Sequence, residues 1–478
     1  MSLKKQATFG LVWTYAQQFG NQLVGFGVSI ILARLLTPAE FGLIGMIAIF
    51  VAVGNTLLHS GLNKSLIRSE DLNNEDYSTI FYYNLIVSLI IYFLIFITAP
   101  YIAIFYEQPK LTGILRVYCL SFIVTAFSAV QLARLTKKLD FKTQTIISIP
   151  SAIVGGGIGI YMAFAGYGVW SLVWSSLFSS ILNTVQLWIY SKWSPELCFN
   201  THKFRSHFKY GYKLTISELL DKVFSNIFLI VIGKYFSPAQ VGFYTRAETM
   251  KQLPVNNLTN ALDRVTFPLF VVIQNDDVQL KRVYKKLIKI VVFVLTPVLT
   301  FLAVLAEPTF SLLFTDKWLP AVPYFQILCI TGVLLPLHSY NLNILNVKGR
   351  SDLFLKIEVL KKGLILITLL ITVRLGIIPM LIGQVIISIL AFFVNAQYTG
   401  KFIGYSAIQQ LKDVLPTFLL SIIVGAIVFF LDRYQLNSNF DIIRVLMGGI
   451  IGLSLYLLSA FLLKFESLNE LYNLILKK

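Results

Sequence analysis

The sequence predicts an all-α polytopic membrane protein, and its composition, apolar runs and charge distribution each support that fold class. Of the 478 residues, 56% are hydrophobic and only 13% are charged. Soluble globular proteins carry about 25% charged residues, so this chain has too little charge to face water on all sides. The composition excludes a soluble enzyme, a disordered chain and a secreted disulfide scaffold. The three cysteines form no CxxC pair, which implies neither a disulfide framework nor a metal site.

About 14 apolar runs are long enough to cross a bilayer, since a spanning helix needs about 20 mostly apolar residues. They lie at roughly 11–33, 41–62, 80–104, 113–133, 144–165, 168–190, 210–233, 242–270, 288–306, 322–345, 357–375, 377–399, 413–431 and 442–463. The first run is too long for a signal-peptide core and lacks a small-residue cleavage site, so we expect it to be retained. The eighth run carries several charges, and hydropathy alone would omit it.

The distribution of Lys and Arg supports this arrangement. With a cytoplasmic N-terminus, 29 of the 40 basic residues fall in inside loops, eight in outside loops and three within spans. This asymmetry follows the positive-inside rule, and omitting the eighth run would invert every later loop. We therefore expect a multi-pass protein of the cell inner (plasma) membrane with cytoplasmic N- and C-termini. The net charge of +17 reports this topology and indicates no nucleic-acid partner.

A short motif repeats at an offset of 200 residues. LTPAEFG at 36–42 returns as FSPAQVG at 236–242, and each copy precedes an apolar run. In each copy, Thr or Ser at the N-cap, Pro at the first helical position and Glu or Gln at the third form a capping box. A weaker echo pairs 115–121 with 325–331. Six spans separate the copies, so the two halves have the same orientation, as in transporters with parallel repeats. Chance similarity is the alternative.

Polar stripes on two predicted spans supply candidate site residues. Their spacing of i, i+3 and i+4 places the members of each stripe on one helix face. Polar groups that face lipid are costly, so both stripes should face the bundle interior or a water-filled cavity. The stripes consist of Glu218, Asp221 and Lys222 in the seventh span and of Gln18, Asn21 and Gln22 in the first span, 200 residues earlier.

Further charged candidates lie in the eighth span and at the end of the first. Glu248 and Lys251 are three residues apart and able to pair, with Arg246 nearly opposite them on the helix. Salt bridges that hold helices together are the structural alternative, which we favour for the carboxylates. Lys222 and Arg246 are better candidates for substrate contact, because cations suit a phosphate-bearing substrate. Arg34 either contacts substrate or extends to the membrane interface.

No catalytic constellation is present in the sequence. The four histidines are scattered, and there is no HExxH, GxSxG or Walker A motif. The predicted outside loops leave little room for a soluble catalytic domain. We predict a protein that is not an enzyme and that has no catalytic residues, no cofactor and no metal site.

Three stretches resemble the polysaccharide transporters of the MOP exporter superfamily, the PST-type O-antigen and exopolysaccharide flippases. The stretches are LARLLTPAEFGLIGM (32–46) with GLNKSLIRSE (61–70), VGFYTRAETMKQLP (241–254) with DRVTFPLF (263–270), and NDDVQLKRVYKK (275–286). The resemblance implies two parallel six-helix lobes in a V-shaped, MATE-like arrangement, followed by two additional helices. The implied boundaries are 1–200 and 201–405 for the lobes, and 406–478 for the two additional transmembrane helices and a cytoplasmic tail.

The resemblance also implies a function. The family moves polyprenyl-pyrophosphate-linked oligosaccharides, the precursors of lipopolysaccharide, capsule or exopolysaccharide, from the cytoplasmic to the outer leaflet by alternating access. Its implied partners are the lipid-linked oligosaccharide, membrane lipids, a polysaccharide polymerase and glycosyltransferases. Phosphates would contact Lys222, Arg246 or Arg34, and sugars would contact the neutral stripe of the first span. Two alternatives are a MATE-type multidrug/cation antiporter that depends on acidic groups such as Asp221, and a membrane-embedded polymerase or glycosyltransferase.

Overall fold

The structure, a computed structural model, describes residues 3–59, 61–69 and 71–476, and these residues form helices without a strand. Helices satisfy their backbone hydrogen bonds within one segment, which hydrocarbon requires because it contains no water to bond them. The prediction of an all-α membrane protein is confirmed. The helices group into two compact units, Met1–Gly242 and Phe243–Lys478.

The first unit contains ten complete helices among its described residues. They are α1 (Leu3–Leu35), α2 (Pro38–His59), α3 (Leu62–Arg68), α4 (Asn74–Phe105), α5 (Lys110–Tyr118), α6 (Leu120–Lys137), α7 (Phe141–Phe164), α8 (Trp170–Ser191), α9 (Thr201–Ser225) and α10 (Ile227–Tyr235). Helix α7 packs against α1 and α8. Gly155 and Gly159 allow α8 to approach closely, since an added Cβ would lie 2.7 Å from the Ser179 Cβ and 2.6 Å from the Ser175 Cβ, respectively.

The second unit contains most of α11 and all of the later helices. They are α11 (Pro238–Val272), α12 (Asp277–Val304), α13 (Ala306–Phe314), α14 (Val322–Val347), α15 (Ser351–Thr372), α16 (Ile377–Ile403), α17 (Ala407–Leu431), α18 (Asp441–Leu462) and α19 (Glu466–Leu476). Helix α12 packs against α14 and α17, and α14 packs against α16. Phe270, Tyr284, Tyr340 and Tyr405 form an aromatic core in this unit. These rings hold the helices around α12 together by burying apolar area.

Ten helical segments within the described residues are long and apolar enough to cross a membrane. Helices α1, α9, α11 and α15 are also long but are not among these ten. The sequence places predicted spans on them partly from loop charge, so the total of about 14 stays a prediction. The lobe boundaries at 200 and 405 also stay predictions.

Both capping boxes predicted from the repeat are formed. The Thr37 amide donates to Glu40 Oε2 at 2.7 Å, and the Glu40 amide donates to Thr37 Oγ1 at 3.4 Å. In the second copy, the Ser237 amide donates to Gln240 Oε1 at 3.2 Å, and the Gln240 amide donates to Ser237 Oγ at 3.4 Å. The reciprocal bonds satisfy amides that the first turns of α2 and α11 would otherwise leave without a partner.

The glycine that ends each motif brings the first turns of α2 and α11 into direct backbone contact. A Cβ added to Gly42 would lie 2.6 Å from the Pro238 carbonyl carbon. A Cβ added to Gly242 would lie 2.9 Å from the Pro38 carbonyl carbon. Both distances are below any normal contact of a real Cβ, so each position requires glycine. The two copies of the repeated motif therefore pack against one another through equivalent atoms.

Gly42→Ala should destabilise the protein, because the new methyl group collides with backbone that cannot rotate away. Overpacking of this kind costs about 1–3 kcal/mol. Thermal unfolding of the purified protein in detergent should show a lower midpoint for Gly42→Ala and for Gly242→Ala. Gly157→Ala is the matched control, since its added Cβ meets no atom within 4 Å. An unchanged midpoint for Gly42→Ala would contradict this account.

Candidate functional site

The neutral stripe of α1 faces α7 in the first unit. Asn21 Nδ2 donates a hydrogen bond to Ser148 Oγ at 3.1 Å. Gln17 Nε2 lies 3.4 Å from the same oxygen. Gln18 and Gln22 are half-buried on this helix. Asn21 thus joins two helices, while the neighbouring amides stay partly accessible.

The charged stripe of α9 is more open. Glu218 is half-buried, and Asp221 and Lys222 are exposed. Glu218 forms an ion pair with Lys64 of α3, and the exposed fractions of the two side chains are 36% and 52%. Charged groups with this exposure remain available to a ligand.

Helix α3 is fixed against α9 at two further points. Gly61 and Gly211 are in backbone contact, since a Cβ on Gly211 would lie 2.8 Å from the Gly61 carbonyl carbon. One turn along each helix, Ser65 Oγ and His207 Nδ1 are 2.7 Å apart. His207 Nε2 lies 3.5 Å from Asp76 Oδ1. Both Ser65 and His207 are buried, so they hold the helices together and are closed to ligands.

The start of α9 is also tied to α4. Lys203 Nζ lies 2.9 Å from Asp76 Oδ2 and 3.1 Å from Glu75 Oε2. Burial of the Lys203 amine lowers its pKa, but the hydrogen bonds and charges of Asp76 and Glu75 outweigh burial, so the net pKa is raised. The amine therefore stays charged and keeps the first turn of α9 in place.

In the second unit, α11 carries the ion pair that its spacing predicts. Lys251 Nζ lies 2.7 Å from the Glu248 carboxylate. Gln252 Nε2 donates to Glu248 Oε1 at 2.8 Å, and Lys251 Nζ lies 3.5 Å from Thr331 Oγ1 of α14. The exposed fraction is 3% for the Lys251 side chain and 27% for the Glu248 side chain. Of this pair, the carboxylate is the accessible group.

Arg246 has an aromatic environment. Its guanidinium carbon lies 4.7 Å from the centre of the Phe314 ring and 5.0 Å from that of Trp318. These distances are typical of cation–π contacts. Arg246 is only 5% exposed. Arg34, by contrast, is exposed at the last turn of α1.

Several residues of this polar framework lie outside the predicted set. Lys64 contacts the α9 stripe from a position 154 residues earlier, and no local pattern points to it. Gln252 is different, because its i+4 spacing from Glu248 is a signal that the sequence contains. Within the described residues, no group of three or more His, Cys, Asp or Glu side chains is placed to hold a metal ion.

Glu248→Ala should destabilise the second unit, because it leaves the buried Lys251 ammonium without its carboxylate. Breaking a buried ion pair in this way costs about 3–5 kcal/mol. The double variant Glu248→Ala/Lys251→Met should recover most of this loss, since it removes both charges. Thermal unfolding in detergent would rank the variants, with Lys251→Met as the third member of the cycle. Equal losses for Glu248→Ala and the double variant would contradict the pairing.

Comparison with known proteins places this framework in a family. The family described as "Polysaccharide biosynthesis protein" matches residues 31–323. The chain is 25% identical to the teichuronic acid biosynthesis protein TuaB of Bacillus subtilis (strain 168), over 90% of this chain and 89% of that protein. It is 23% identical to the lipopolysaccharide biosynthesis protein WzxC of Escherichia coli (strain K12), over 89% of both proteins. The succinoglycan biosynthesis transport protein ExoT of Rhizobium meliloti (strain 1021) is 23% identical over 70% of this chain and 68% of that protein.

Solved structures share the fold. The lipid II flippase MurJ in its inward closed conformation superposes with a TM-score of 0.78, at 14% identity, over 95% of this chain and 99% of that one. An inward-facing multidrug resistance MATE transporter of the MOP superfamily gives a TM-score of 0.59, at 16% identity, over 81% of this chain and 96% of that one. The fold is that of the MOP superfamily.

Proposed function

This chain belongs to the polysaccharide biosynthesis protein family, and we propose that it moves polyprenyl-pyrophosphate-linked oligosaccharides across the bacterial inner membrane by alternating access. The family match and the relatives confirm the prediction of a membrane transporter for polysaccharide biosynthesis, and not of an enzyme. The solved structures show the fold of MOP-superfamily transporters. Relatives named for teichuronic acid, lipopolysaccharide and succinoglycan support a polysaccharide precursor as cargo and not a drug.

The observation that carries this proposal is the accessible charge on α9. Lys222 is exposed on a helix that also carries Glu218 and Asp221. A lysine that remains accessible on a helix predicted to span the membrane suits the phosphates of a lipid-linked precursor. The half-buried amides of Gln18 and Gln22 on α1 offer the neutral donors and acceptors that sugar hydroxyls need. These side chains line the proposed path.

An apolar groove lies within the second unit. It has a volume of about 310 Å³ and lies among α12, α14 and α17. Its walls include Leu299, Ala303, Ile330, Val333 and Phe429. Hydrocarbon walls of this kind suit part of an isoprenoid chain.

The proposal includes both termini in the cytoplasm, as the loop charges indicate. Fusions of green fluorescent protein to full-length chain should fluoresce when placed after Lys478. Alkaline phosphatase should be active when inserted in the predicted outside loop at Lys317 and inactive at Lys192. The opposite pattern would overturn this orientation. The polymerase and the glycosyltransferases are proposed as functional partners that use and make the cargo.

Translocation by the purified protein tests the function directly. Liposomes containing the protein should move an undecaprenyl-pyrophosphate-linked oligosaccharide between leaflets, measured by the access of a glycosidase added outside. Protein-free liposomes are the control. No translocation of any lipid-linked glycan, combined with efflux of organic cations, would replace the proposal with the antiporter alternative.

Lys222→Gln should reduce translocation about tenfold, because a charged hydrogen bond to phosphate contributes about 1.5–3 kcal/mol. Lys222→Arg should retain most of the rate, since it keeps the charge. Both variants should unfold at the wild-type temperature, because Lys222 is exposed. Equal rates for Lys222→Gln and wild type would remove Lys222 from the phosphate site.

A further inference from the structure

We infer that Lys64 is a second phosphate-binding residue, and that Glu218 occupies it until the pyrophosphate of the substrate takes the place of the carboxylate. This inference rests on the proposed function and adds a residue and an exchange step to the same site. The carboxylate would act as a built-in competitor for the phosphate. Lys64 lies on the side of the membrane that the loop charges assign to the cytoplasm, where the precursor begins its passage.

The energetics favour this exchange. Lys64 and Glu218 keep 52% and 36% of their side chains exposed. Accessible ion pairs contribute only about 0–1 kcal/mol. A charged hydrogen bond between lysine and phosphate contributes about 1.5–3 kcal/mol, and a pyrophosphate brings more than one negative charge. A pyrophosphate can therefore displace Glu218 from Lys64 at little cost.

The contacts around Lys64 explain how a lysine on a short helix can be held ready. The Gly61–Gly211 backbone contact lies three residues before it, and the 2.7 Å contact of Ser65 with His207 lies next to it. Both contacts belong to the backbone or to buried side chains, so they persist when the accessible ion pair opens. Ser65 and His207 are positioning residues in this scheme. They hold α3 in place, so that Lys64 remains next to the charged stripe of α9 whether it pairs with Glu218 or with the pyrophosphate.

The spacing on α9 suits two linked phosphoryl groups. Glu218 and Lys222 are one turn apart on the continuous helix α9, a rise of about 6 Å. Lys64 pairs with Glu218, and Lys222 lies one turn further along α9. Together they place two cations along one face of this helix. Departure of Glu218 would leave both for the pyrophosphate. Arg246 and Lys251, at 5% and 2% exposure, are much less accessible to such a ligand.

The affinity of the full-length protein in nanodiscs for undecaprenyl pyrophosphate tests the exchange, because two substitutions should change this affinity in opposite directions. Lys64→Gln should weaken binding about tenfold, whereas Glu218→Gln should tighten it about threefold by removing the competitor. The double variant should bind like Lys64→Gln, and Lys64→Arg should bind like wild type. Lys209→Gln, an exposed lysine of α9 outside the site, is the matched control. Inorganic pyrophosphate should reproduce the two signs, because the exchange involves the head group alone.

A merely structural ion pair gives a different result. In that case Lys64→Gln and Glu218→Gln would lower the unfolding temperature together and would change binding in the same direction or not at all. Binding that changes in the same direction in both variants, or in neither, overturns the inference. If the two variants change affinity in opposite directions but the wild-type protein does not translocate the substrate, the exchange is upheld and the proposed transport is wrong. If the protein translocates the substrate but the two variants change affinity in the same direction, the transport is upheld and the exchange is wrong.

Discussion

A polar or charged group without a partner in hydrocarbon costs several kcal/mol, and this cost organises the whole molecule. It requires helices, whose backbone groups bond within one segment. It also explains the ion pairs at buried positions: Lys251 lies 2.7 Å from the Glu248 carboxylate, and Arg444 donates two 2.9 Å hydrogen bonds to Asp432. Such pairs are costly to break from one side only, which makes them fixed points of the fold.

Charges that stay accessible have a different meaning. Lys222 is exposed, and both side chains of the Lys64–Glu218 ion pair are partly exposed. An accessible pair stabilises the fold little. In the proposed function, these accessible charges serve to bind the ligand. Exposure therefore separates the candidate site of α9 from the buried framework around Arg246, although both contain cations on long helices.

The sequence predicts local features well, because their partners lie within one or two helical turns. The capping boxes at Thr37 and Ser237 and the Glu248–Lys251 pair are of this kind. Contacts between distant segments follow from tertiary packing and have no local signal. Lys64 meets Glu218 across 154 residues.

Arg246 illustrates the same limit. Its charge and its place in a span made it a candidate for phosphate, but its aromatic partners lie on α13 and in the turn that follows, at Phe314 and Trp318. Only the folded chain brings these rings over the guanidinium group. The ligand contact of Arg246 stays a prediction, and its cation–π contacts are a feature that residue type alone does not reveal.

The contact between the turns that carry Gly42 and Gly242 limits how the two copies of the motif can vary. Each glycine faces the carbonyl of the proline that starts the other copy, so the contact is reciprocal. This reciprocity is also the property of an isologous interface, in which one surface patch meets itself across a two-fold axis. An added Cβ at either position would meet proline backbone, so a change at one glycine cannot compensate for a change at the other. Substitutions at both positions would therefore add their steric costs.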